Sequence, residues 1–128
     1  MSIAAQVVAS IAALLHVVFF IFESVLWTRP AVYRRFGIAD AAQANTIRPM
    51  AYNQGFYNLA LAVGVGVGVV LMASSGDQFL VGKAMVAFGT ACMAFAGVIL
   101  ATTGARYRSA AAIQFVPAAA ALLLAILS

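Results

Sequence analysis

Four runs of about twenty apolar residues, joined by short polar segments, constrain this chain more than any other feature of its sequence. A bilayer hydrocarbon core of about 30 Å is crossed by about 20 residues of helix, and the runs at 5–27, 49–73, 79–102 and 110–127 each reach that length. Backbone amides in lipid find no water, so each run must satisfy its hydrogen bonds internally; no alternation of the kind a barrel needs is present. That requirement overrides the many Val and Ile residues, which would favour strands in water. Of 128 residues only 8% are charged and 66% are hydrophobic, whereas soluble domains carry about 25% charged residues. The expected fold is therefore all-α: a polytopic membrane protein, a four-transmembrane-helix bundle forming a single domain over 1–128.

The loops set the orientation. Arg29, Arg34, Arg35 and Arg48 stand between the first two runs against Asp40 alone, and Arg106 and Arg108 lie between the last two. The middle loop has Asp77 and, at its edge, Lys83. Basic loops stay in the cytoplasm, which places both termini on the non-cytoplasmic side of a cell membrane, the cytoplasmic membrane if the source is bacterial. The net charge of +4 is thereby assigned to topology and not to nucleic acid, since the only basic pair is Arg34-Arg35. Within the first loop, Asp40 followed three places on by Gln43 has the form of a capping box, so a short interfacial helix is expected at about 41–48, with Pro49 restarting the chain. Trp27, Tyr33 and Tyr107 fit the aromatic belt at the membrane surface. The N-terminal run lacks a basic leader and is too long for a signal peptide, so it reads as an uncleaved span. The lone Cys92 excludes a disulfide framework and a thiolate cluster.

The first run carries two ionisable side chains. His16, Phe20, Glu23 and Trp27 follow at spacings of four, three and four, which places them on one stripe of a helix. A carboxylic acid in hydrocarbon costs roughly 2.5–3.5 kcal/mol on insertion scales, faces other helices or a wet cavity, and marks a functional site by default. Glu23 is expected roughly 6 Å inside the cytoplasmic end of its span and His16 roughly 16 Å inside. Asn53 and Gln54 lie at roughly 6–8 Å in the second span, Tyr57 and Asn58 at roughly 12–14 Å, and Gln114 at roughly 9 Å in the fourth. Several helices thus bring polar groups to one depth. The Gly64 and Gly68 pair has the GxxxG spacing that permits close helix contact, so the outer half is expected to close on glycine and the inner half to splay around a pocket facing the cytoplasm. As a metal site the pattern is weak, because His16 and Glu23 are roughly 10 Å apart along the axis. Haem ligation by His16 would need a Met or a second subunit, and no cofactor is identified.

These residues, with the run Asn53-Gln54-Gly55-Phe56-Tyr57-Asn58, carry a resemblance. The chain resembles a family of small four-helix bacterial and fungal membrane proteins catalogued as a domain of unknown function, number thirteen-zero-four. That family's pattern has a His with a downstream Glu and Trp in the first helix, an aromatic-Gly pair like Phe36-Gly37, an Asn-Gln-Gly-x-Tyr-Asn stretch opening the second helix, and a Gln shortly before a Pro, here Gln114 and Pro117. The resemblance implies a fold and a site, and it carries no activity.

Function divides three ways at this point. In the first reading, Glu23, His16 and Tyr57 do acid/base work on a small lipophilic molecule that Asn53, Gln54, Asn58, Trp27 and Gln114 bind. In the second, the chain is a small proton-coupled transporter, although its outer half shows no polar lining. In the third, it is an accessory or structural subunit whose polar cluster binds a partner or membrane lipid. The glycine spacing and the Ala-rich last helix make a homo-oligomer the expected assembly under each.

Overall fold

The computed structural model describes residues 2–128, and among them every regular element is helical. Helix α1 (Ile3–Phe20) runs into a π-turn (Ile21–Val25), and a short α2 (Pro30–Tyr33) with a 3-10 turn (Arg34–Phe36) leads to α3 (Ala41–Leu71). Helix α4 (Gly76–Thr102), a 3-10 turn (Ala105–Tyr107) and α5 (Arg108–Ile126) complete the order. Four stretches, Ile3–Val25, Ala41–Leu71, Gly76–Thr102 and Ala105–Ile126, are long and apolar enough to cross a membrane. Large apolar side chains such as Phe88, Phe95 and Leu123 are exposed on them, a surface made for lipid. The chain is a multi-pass membrane protein.

The Asp40 cap forms, while the return bond of the expected capping box goes to Ala39, one residue before the cap, instead of to the Asp40 amide. The Gln43 amide donates to Asp40 Oδ1 at 2.8 Å, and Gln43 Oε1 reaches back to the Ala39 amide at 3.4 Å. The helix that starts there does not stop before Pro49, contrary to the expected restart: Ala41–Leu71 is one helix of 31 residues with Pro49 inside it. A proline removes one amide donor and pushes on the preceding turn. Pro49 is exposed, so its ring and the carbonyl it leaves bare face outward and the helix continues. At 1.5 Å per residue α3 is about 46 Å long, well beyond a hydrocarbon core of about 30 Å.

The chain forms two compact units. One comprises the residues up to Leu15 together with Leu61–Ser128. Its contacts are tight where glycine allows: a methyl group on Gly68 would stand 2.9 Å from the Gly82 carbonyl, and one on Gly82 would stand 2.6 Å from the Gly68 carbonyl. Gly97 on α4 meets Phe115 on α5 in the same way, at 3.0 Å. Gly64 does not take part, since nothing lies within 4 Å of where its Cβ would be. Of the GxxxG pair only Gly68 is used, against Gly82. Gln6 Nε2 donates to the Val69 carbonyl at 3.0 Å, and the Thr90 hydroxyl donates to the Val86 carbonyl of its own helix at 2.6 Å. The other unit, His16–Ala60, holds the acid.

Candidate functional site

The His16–Ala60 unit is built on a close approach between the π-turn and α3. Small residues on α3 make it: Ala51, Gly55 and Asn58, spaced four and three apart, are its buried positions here. The Ser24 side chain occupies the space a Cβ on Gly55 would need, and the Ser24 backbone nitrogen would be 3.0 Å from that atom. Ser24 Oγ donates to the Tyr52 carbonyl at 2.8 Å. Phe20 and Phe56 meet edge-on with ring centroids 5.1 Å apart beside this contact.

The π-turn bonds the Leu26 amide to the Ile21 carbonyl at 2.9 Å, five residues back. Single π-turns inside α-helices are uncommon and frequent at functional sites. Glu23 sits at its centre and is 8% exposed. Asn58 Nδ2 donates to Glu23 Oε1 at 2.7 Å, and Asn58 is 5% exposed. This is a short bond of the kind a carboxyl group and an amide make when both are withdrawn from water. His16 is 1% exposed, and its ring stands edge-on to Phe19 with centroids 5.1 Å apart.

One turn past Glu23 an apolar cluster closes over the chain. Trp27, Tyr33, Ala44 and Ala51 are buried together, with Phe36, Ile38 and Ile47 packed against them. The Trp27 Nε1 hydrogen goes to the Ala44 carbonyl at 2.9 Å. The turn that brings Phe36 onto Trp27 ends on Gly37 with φ +76°, a left-handed conformation that glycine adopts without strain. Arg35 lies over the Phe22 ring, 5.5 Å from its centroid. Trp27 and Tyr33 are thus core residues instead of belt residues, because the loop folds back over them.

The residues singled out in the sequence therefore separate into groups. Glu23 and Asn58 are brought into contact, and His16 and Trp27 are buried in the same unit. Asn53, Gln54 and Tyr57 are exposed, Tyr57 at 62%, and so do not line an interior around Glu23. The interior face of α3 is the one marked by its small residues, about 100° around from Tyr57. Gln114 belongs to the other unit and is half-buried on α5. Ser24 is not among the residues the sequence points to, although a serine in an apolar run is a signal for it, and Gly55 enters there only as part of the Asn53–Asn58 run and with no packing role. Among the described residues no group of three His, Cys, Asp or Glu side chains could hold a metal ion. The family model described as Protein of unknown function (DUF1304) matches residues 10–126. No curated protein and no solved structure matches the chain.

Proposed function

The chain belongs to the DUF1304 family, and from its buried acid–amide pair we propose that this membrane protein binds a small lipophilic molecule at Glu23 and exchanges a proton with it. The observation that carries the reading is the 2.7 Å contact between Asn58 Nδ2 and Glu23 Oε1 within an apolar span. An acid kept in such a segment is expensive, and stability alone is served better by an apolar residue. Asn58 holds one carboxyl oxygen and so fixes the direction of the other, Oε2, which is the atom that would give or take the proton. His16, seven residues before Glu23, is the second group able to carry one.

The basic loops favour an orientation with both termini on the non-cytoplasmic face of a cell membrane and the Glu23 end of the first span toward the cytoplasm. The test is retention of a ligand. Protein purified in mild detergent is extracted with organic solvent and the extract analysed by mass spectrometry. A small lipophilic compound should accompany the wild type stoichiometrically and be lost from Glu23→Gln, which keeps an oxygen for Asn58. Equal retention by the variant, or no compound with either, refutes the proposal.

A further inference from the structure

Three polar side chains of α3 face away from the chain. Asn53, Gln54 and Tyr57 are exposed, and they stand among Met50 at 73%, Tyr52 at 53% and Phe56 at 44% exposure. Counted from Arg48, the last charged residue before the apolar part of the helix, they lie roughly 7 to 14 Å further along the axis. Lipid tails offer an amide or a phenol no hydrogen bond, so a face of this kind calls for a polar partner at the same depth.

We propose that this face of α3 is the docking surface for a second copy of the chain, the two copies related by a two-fold axis along the membrane normal. Copies inserted in the same direction carry the same residue at the same depth. A two-fold axis beside α3 therefore sets Asn53 opposite Asn53, and a primary amide is its own complement: each Nδ2 donates to the other copy's Oδ1. The Tyr57 hydroxyl, one turn on and about 40° around from Asn53, holds both donor and acceptor functions and pairs under the same symmetry, while Gln54, about 100° around from Asn53, stands at the flank of the contact. The stretch from Met50 to Tyr57 contains no charged residue, so the two-fold places no like charges together. A different membrane protein would have to bring matching amides to this depth, whereas a second copy has them already. The residues that α3 uses inside its own chain, Ala51, Gly55 and Asn58, lie roughly 100° or more around the helix from Asn53 and Tyr57, so docking through those two leaves the contact with Glu23 intact.

The test is cross-linking in lipid vesicles with Cys92 replaced by Ser, so that an introduced cysteine is the one thiol present. Met50→Cys and Ala60→Cys flank the polar residues without removing them, and Val7→Cys, also exposed at 53%, reports random encounter. Mild oxidation should give several-fold more disulfide-linked dimer at positions 50 and 60 than at position 7. The double substitution Asn53→Leu with Gln54→Leu should lower the dimer fraction counted by single-molecule photobleaching at least tenfold at equal dilution. The proposal is overturned if positions 50 and 60 cross-link no more than position 7. That result assigns the face to lipid headgroups. It is equally overturned if the double variant dimerises as well as the wild type.

Discussion

Replacing Gly55 by Ala tests the contact on which the Glu23 unit is built. The added methyl would coincide with the Ser24 side chain and stand 3.0 Å from the Ser24 backbone nitrogen. Rotating the serine hydroxyl relieves the first conflict at the loss of its 2.8 Å bond to the Tyr52 carbonyl. Hydrogen bonds between membrane helices are worth about 0.6 kcal/mol on average. The second conflict is with backbone and needs the two segments to separate by a few tenths of an ångström, an overpacking cost of about 1–3 kcal/mol. Against these stands a gain of at most about 1 kcal/mol from the better helix propensity of Ala. The net expectation is a loss of about 1–2.5 kcal/mol, a factor of roughly 5 to 70 in the unfolding constant. Unfolding in mixed micelles, or steric trapping in bicelles, measures it directly. The companion Gly64→Ala, where nothing lies within 4 Å, should be neutral or stabilising in the same assay. Equal stability of Gly55→Ala and wild type, or equal effects at positions 55 and 64, would refute the argument. Ser24→Ala in the Gly55→Ala background should recover only part of the loss, because the nitrogen remains.

Five other substitutions have defined outcomes. Asn58→Leu leaves the buried Glu23 without its 2.7 Å donor and should destabilise by about 1–3 kcal/mol, while Glu23→Gln, which keeps an acceptor, should cost less than about 1 kcal/mol in the same unfolding assay. Trp27→Phe removes the hydrogen bond to the Ala44 carbonyl and should lower stability by about 1–3 kcal/mol, with Trp fluorescence lost and the helical circular dichroism kept. Asp40→Ala deletes the cap on the Gln43 amide; hydrogen exchange there should speed up, with a stability loss of about 0.5–2 kcal/mol. Gly82→Ala sets a methyl 2.6 Å from the Gly68 carbonyl, a backbone conflict that should cost more than any of the other glycine substitutions.

The spans are legible in the sequence because run length and hydrocarbon thickness are the same quantity in different units. The Asp40 cap is legible too, since both of its partners are local. The face of α3 is harder to read. Polar side chains in an apolar run draw attention to Asn53, Gln54 and Tyr57, yet the inner face is set by Ala51 and Gly55, whose smallness lets another segment come close. Asn58 alone satisfies both criteria, and it is the residue that reaches Glu23. Pro49 misleads in the other direction: it signals a break, and an exposed position on a long helix absorbs it. The burial of Trp27 and Tyr33 depends on the fold of the loop that follows them, which composition does not encode.

The widened turn at Ile21–Val25 also acts as a phase adjuster. An α-helix advances 100° for each residue, whereas a π-turn winds more slowly, so the five residues around Glu23 reset the angular position of everything that follows by a fraction of a turn. Deleting one residue there would let the backbone relax to ordinary winding, yet it would swing Trp27 away from the Ala44 carbonyl or Glu23 away from Asn58. The spacing in this segment therefore carries information that the identity of its side chains does not, and a chain one residue shorter here would need a different lock between its first and third helices.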